Sequence, residues 1–215
     1  DKAGQKGTGL WTVISALELG VPVPTIYASL NARVMSSLKE QRMEVEKLLP
    51  FDVDHEFNFG NISNSMKPLF DAVVLSTIAS YAQGMDILKE ASTFYNYELD
   101  MPSIAQIWKG GCIIRSKLLK RIQDAYEKDP NLKNLIFDSW FNNQISNKLD
   151  NLSYVVSAAS KASIPVPCLS STLDYLNSYR TNRLPQNLVQ AMRDCFGSHT
   201  YETVSYTHLT LPTIE

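Results

Sequence analysis

The chain repeats itself, and the repeat constrains its fold more than any other feature. Trp11-Thr-Val-Ile-Ser-Ala16 runs on through Leu19-Gly-Val-Pro-Val-Pro24. Tyr154-Val-Val-Ser-Ala-Ala159 runs on through Ala162-Ser-Ile-Pro-Val-Pro167. Trp11 and Tyr154, Val21 and Ile164, Pro24 and Pro167, and Leu30 and Leu173 all stand 143 residues apart. An apolar helical run stopped by glycine and then proline is a helix followed by a turn. Two such units at one fixed offset mean a duplicated helix–turn–helix, with hairpins over about residues 9–37 and 152–180.

The copies differ at three positions. Lys6, Thr8 and Arg33 in the first correspond to Leu149, Asn151 and Leu176 in the second. The first copy opens with Asp1-Lys-Ala-Gly-Gln-Lys-Gly-Thr-Gly9. Glycines let the backbone approach a ligand closely, and the first turn of a helix offers unpaired amides and a positive dipole end to an anion. Lys6 adds a full charge, and Thr8 adds a hydroxyl that caps the helix or meets the anion. The helix from Leu10 to Leu19 rises about 15 Å, and Arg33 lies about 12 Å along the next one, at 1.5 Å per residue. An antiparallel turn at Pro22-Val-Pro24 therefore returns Arg33 to the level of Lys6 and Thr8. A solvated lysine beside an ordinary helix start is the plain alternative. Its weakness is that a scaffold has no use for cations in one copy alone.

The remaining elements also read as helices. The second runs from Pro24 to about Leu48, with a charged outer face over 39–47. A long apolar helix from Met66 to about Tyr95 reads as central and buried nearly all round, with Gly84 permitting a close crossing. Short and amphipathic helices follow at Pro102–Trp108, Ile113–Lys128 and Leu135–Asn147, where Phe137, Trp140 and Phe141 form a core stripe. The last helix begins near Pro185, and Arg193 and His199 flank its exit. No alternating Val/Ile/Thr segment bounded by hairpin turns occurs, so the fold class is all-α.

Other classes are disfavoured. A formal charge of −2 gives no electrostatic reason for a nucleic-acid or anionic-membrane partner. The apolar run from Ala72 to Met85 is too short to cross a bilayer. Three scattered cysteines read as the reduced thiols of a cytoplasmic protein, not as a disulfide framework or zinc site. Asp52, Asp54, His55 and Glu56 crowd one loop without the spacing of metal ligands, so no metal is expected. The first residue is not Met and the glycine-rich opening has nothing ahead of it, so the sequence reads as a fragment.

Several strings together resemble the decarboxylating 6-phosphogluconate dehydrogenases. They are Asp1 to Gly9, Trp11 to Ala16, Ala32-Arg33, Ser80-Tyr-Ala-Gln-Gly84, Ile107-Trp-Lys-Gly-Gly-Cys-Ile-Ile-Arg-Ser116, Ile164-Pro-Val-Pro-Cys168 and Arg193-Asp-Cys-Phe-Gly-Ser-His-Thr-Tyr201. The resemblance covers residues 1–202 and implies the tandem-repeat helical domain that follows an N-terminal Rossmann domain, which is missing here. It implies NADP-dependent oxidation of 6-phosphogluconate at C3, loss of CO2, and protonation to ribulose 5-phosphate, in a homodimer. By the same resemblance Lys6, Thr8 and Arg33 hold the substrate's phosphate and nearby hydroxyls, while Arg193 and His199 reach into the partner's site. The general-base lysine and proton-donating glutamate are expected upstream of Asp1, so no catalytic residue is assigned here and the isolated chain is expected to be inactive. NADP is expected mainly on the missing domain. Residues 203–215 match nothing in the family's tail and read as an artefactual extension, with no role for His208. A non-catalytic helical dimerisation module of the same ancestry is the alternative.

Overall fold

Pro24, the last residue of the first Pro-Val-Pro turn, is also the first residue of a helix in the computed structural model, which describes residues 2–50 and 66–201. Every regular element among those residues is helical: α1 (Thr8–Glu18), α2 (Pro24–Ser37), α3 (Lys39–Leu48), α4 (Lys67–Tyr95), α5 (Met101–Ile107), α6 (Leu118–Lys128), a 3₁₀ turn (Leu135–Phe137), α7 (Ser139–Lys161), α8 (Pro167–Tyr179) and α9 (Asn187–Gly197). The chain divides into two units, Asp1–Leu176 and Asn177–Glu215. The acidic loop at Asp52–Glu56 and the tail at 203–215 lie outside the described residues.

The duplicated turn recurs bond for bond. Gly20 and Ser163 both adopt left-handed backbone, at φ +70° and +54°. Val21 N donates to Ala16 O at 2.8 Å, and Ile164 N donates to Ala159 O at 2.8 Å. Tyr27 N reaches Val23 O just as Ser170 N reaches Val166 O. The left-handed residue lets the chain reverse while the last helical carbonyls keep their donors, and proline then starts the next helix without losing an amide bond.

The core of the first unit forms where α4 packs on α7. Ala72, Ala79 and Ala82 keep the contact close, and Leu75, Ile78 and Met85 meet Phe141, Leu149, Leu152 and Val155 in one buried cluster. Leu119, Ile122 and Tyr126 of α6 close its other side. Asp71 ties the same interface with polar bonds, accepting from Lys67 Nζ and Asn151 Nδ2, each at 2.7 Å, with Lys148 at 3.9 Å. A smaller cluster seats the first turn, through Ala16, Val21 and Val23, against Ile87 of α4.

Five expectations need correction. The helix from Pro24 breaks at Leu38 (φ −84°, ψ +42°), because the Ser36 and Ser37 hydroxyls bond back to the carbonyls of Arg33 and Val34 at 2.7 Å and compete with the helix. Residues 113–117 are not helical. Gly111 turns at φ +70°, and the helix begins only after Ser116 Oγ accepts from Leu118 N. The stretch from Leu135 splits, because Asp138 accepts from Trp140 N and Phe141 N and so caps a helix that then runs on to Lys161. Only Phe141 of the aromatic stripe is fully buried, while Phe137 is exposed. Finally, α4 buries one side only: Phe70 and Val73 face solvent, and nothing lies within 4 Å of a Cβ built on Gly84.

Candidate functional site

The glycine-rich opening lies along α2. Ala3 N donates to Ser36 Oγ at 2.8 Å, and the Arg33 guanidinium donates to Gly4 O. Arg33 therefore returns to the opening, two residues from Lys6. Gly7 stands at φ +98° with the Trp11 ring 3.4 Å from where a Cβ would be, and Gly9 faces Leu30 at 3.7 Å. A side chain at Gly7 would strain the turn, whereas a Cβ at Gly9 would make only ordinary contact with Leu30. Trp11 N is the first amide to find a helical carbonyl, at Gly7 O, so the amides of α1's first turn have no carbonyl ahead of them.

Thr8 does not cap α1. It is the first helical residue, Gly7 occupies the cap position, and no side chain caps the helix. Its hydroxyl makes no hydrogen bond among the described residues. Lys6, Thr8 and Arg33 are all exposed, and Lys6 forms no hydrogen bond or ion pair among the described residues. Their counterparts in the second copy are structural. Leu149 and Leu176 are core residues, and Asn151 is bonded to Asp71. One copy has filled these positions with packing; the other presents two cations and a hydroxyl to solvent.

Arg193 and His199 belong to the second unit. Arg193 is exposed on α9 and donates through Nη1 to Gln190 Oε1 at 3.2 Å. His199 is exposed between two residues in left-handed backbone, Ser198 (φ +52°) and Thr200 (φ +42°). Among the described residues no trio of His, Cys, Asp or Glu stands close enough to hold a metal. No strand occurs among them to carry a Rossmann dinucleotide crossover.

A groove of about 1020 Å³ opens beside Thr8, lined by Trp11, Ser80, Tyr81, Trp108, Arg115 and Ser116 among others. Of the five candidate residues only Thr8 touches it. Sequence reasoning gave no role to Tyr81, Arg115 or Ser116, although all three lie in strings that carried the family resemblance. Burial pushes the Tyr81 phenol above its ordinary range, against the hydrogen bond to Ser116, so it stays protonated and donates to Ile114 O. That bond fastens the 109–117 loop along the groove.

A family model described as the C-terminal domain of 6-phosphogluconate dehydrogenase matches residues 1–210. The decarboxylating 6-phosphogluconate dehydrogenase of Synechococcus elongatus is 48% identical over 202 residues, which are 94% of this chain and 43% of the relative. The human enzyme of the same description is 43% identical over 205 residues, covering 95% of this chain and 42% of the relative. The NADP(+)-dependent decarboxylating enzyme of Bacillus subtilis is 46% identical over 206 residues, 94% of this chain and 43% of its own. Among solved structures, 6-phosphogluconate dehydrogenase of Plasmodium falciparum, described in its apo form and in complex with NADP+ and with 6-phosphogluconate, matches with a TM-score of 0.87. It is 42% identical, covering 97% of this chain and 44% of that one. The chain thus spans a little over two-fifths of the length of these relatives.

Proposed function

The chain belongs to the family of 6-phosphogluconate dehydrogenase C-terminal domains, and on that premise we propose that it forms the substrate-phosphate end and the dimer interface of an NADP-dependent oxidative decarboxylase. The reaction takes 6-phosphogluconate to ribulose 5-phosphate and CO2 in the cytoplasm. NADP and the acid–base pair lie on the part of the protein that precedes this domain. This chain's residues bind and orient substrate, and its repeat domain, residues 1–202, pairs with a second copy.

The observation that carries this reading is the contrast between the two copies. Lys6, Thr8 and Arg33 are exposed at a helix start, while Leu149, Asn151 and Leu176 are consumed by packing. A phosphate brings nearly two negative charges and three acceptor oxygens. The ammonium of Lys6, the guanidinium of Arg33, the Thr8 hydroxyl and the first-turn amides of α1 are donors of the kinds such a group binds. Arg193 and His199 complete the corresponding site of the partner.

Calorimetric titration of the 215-residue chain tests the phosphate assignment. 6-Phosphogluconate and inorganic phosphate should compete for one site, gluconate should not compete, and Arg33→Ala should abolish the competition. Equal binding of gluconate and 6-phosphogluconate would mean that the charged cluster reads no phosphate.

A further inference from the structure

We infer that Gln190 is the positioning residue for both Arg193 and His199: one amide clamps the arginine on the helix and the histidine on the loop that leaves it. The inference rests on the substrate role proposed for those two residues and names what holds them.

Gln190, Arg193 and Asp194 are spaced to share one face of α9. Gln190 Oε1 accepts from Arg193 Nη1 at 3.2 Å, and Gln190 Nε2 donates to Thr200 O at 2.5 Å. Both ends of the amide are therefore used, one on each side of the proposed site. Asp194 adds two further fastenings to the loop: its Oδ1 accepts from Thr200 N at 2.8 Å, and its main-chain carbonyl accepts from Ser198 N at 2.8 Å. His199 sits between those anchors with its neighbours in left-handed backbone, a conformation that non-glycine residues rarely adopt unless something holds it.

Exposure follows the same division. Gln190 and Asp194 are half-buried, whereas Arg193 and His199 are exposed. The supports are sheltered, and the groups they aim are free to meet a ligand. Gly197 contributes by having no side chain. A Cβ there would stand 2.7 Å from Cδ2 and 2.8 Å from Nε2 of His199, so the imidazole lies directly over the glycine. Gly197 is the last residue of α9, where alanine suits the backbone better than glycine. Gly197→Ala should therefore displace the ring without cost to the helix.

Side-chain ¹⁵N NMR on the 215-residue chain reads the clamp directly. Gln190→Ala should free both the Arg193 guanidinium and the His199 ring, seen as a loss of their heteronuclear NOE, while the melting temperature stays within a few degrees. Gln190→Glu should split the clamp. A carboxylate still accepts from Arg193 but cannot donate to Thr200 O, so Arg193 stays ordered and His199 does not. Gly197→Ala should shift the His199 resonances alone. In the enzyme completed by its cofactor-binding part, Gln190→Ala should raise the KM for 6-phosphogluconate about tenfold, the size of one weakened charge-assisted bond, with kcat within about twofold. Unchanged order at Arg193 and His199 in Gln190→Ala overturns the inference. An unchanged KM in Arg193→Ala overturns the substrate role instead, and the NMR result stands apart from it.

Discussion

Thr25 Oγ1 lies 3.1 Å from Thr172 Oγ1, so the two copies of the repeat touch hydroxyl to hydroxyl inside the protein. The contact is part of a buried network centred on Gln83 of α4. Gln83 Oε1 accepts from Thr25 N at 3.1 Å and Ile26 N at 3.3 Å, and Nε2 donates to Thr25 Oγ1 at 3.0 Å. Those two amides belong to the first turn of α2, which has no capping residue of its own. A side chain 58 residues away in sequence serves as its cap.

Gln83→Leu should therefore destabilise the chain by about 2–4 kcal/mol, since it leaves the Thr25 and Ile26 amides without partners at roughly 1–3 kcal/mol each, while Thr25 Oγ1 keeps Thr172 Oγ1. Thr172→Val, which removes one hydroxyl from the same network, should cost less. Urea unfolding followed by circular dichroism measures both. A neutral Gln83→Leu would mean that α2 does not depend on α4 for its cap.

The duplicated turn predicts opposite outcomes at its two left-handed positions. Ser163→Gly should leave stability unchanged or raise it by up to about 1 kcal/mol, because glycine adopts positive φ without the Cβ clash. Gly20→Ala should lower it by about 1 kcal/mol for the converse reason. Melting temperatures of the two variants settle the comparison.

Much of this fold was legible because the repeat encodes it locally. Gly20 with Pro22-Val-Pro24, and Ser163 with Pro165-Val-Pro167, specify turns from residues a few positions apart, and the antiparallel return of Arg33 follows from helix rise alone. What stayed hidden depends on side chains that choose between local options or reach across the chain. Ser36 and Ser37 end α2 early by bonding back to their own helix. Asp138 takes the cap while Asn134, which reads as well, holds a 3₁₀ turn by accepting from Ile136 N. Gln83 and Tyr81 act on partners 33 or more residues distant, a relation that periodicity does not encode. The candidate cations were legible for another reason: a repeat supplies its own control, and Leu149, Asn151 and Leu176 are that control.

Acid should act through Asp86. Burial raises its carboxyl to about 6 from an ordinary 3.8, against the hydrogen bond from Asn134 and the charge of Lys89, with Glu90 adding to the rise. The folded state thus holds a proton between about pH 4 and 6 that the unfolded chain has released. Stability from this group is present at the acid end of that window and is lost as pH rises through it, by about 1–3 kcal/mol. Asp71 works the other way. Its burial is outweighed by hydrogen bonds from Lys67 and Asn151 and the charges of Lys67 and Lys148, so its carboxyl sits below the usual range, and its contribution fades only in stronger acid. Asp86→Asn should flatten the stability profile between pH 4 and 6 and leave the steep loss below pH 4 intact. If the profile of Asp86→Asn parallels that of the parent chain throughout, the proton is held elsewhere.

The proposed two-subunit phosphate site makes a prediction that neither arginine tests alone. In the enzyme as the proposed dimer, Arg33→Ala and Arg193→Ala should each raise the KM for 6-phosphogluconate by roughly one to two orders of magnitude, from the loss of a charge-assisted hydrogen bond of about 1.5–3 kcal/mol. The KM for NADP should scarcely move, because neither residue is assigned to the cofactor. Each site is proposed to take Lys6, Thr8 and Arg33 from one subunit and Arg193 and His199 from the other. A heterodimer of the two variants then has one site with both arginines lost and one with both present. Mixing the variants under conditions of subunit exchange should recover about half of the parental activity in each mixed dimer, at parental KM. Should exchange be demonstrated by mass while no activity returns, Arg33 and Arg193 serve sites within a single subunit, and the two-subunit assignment is wrong.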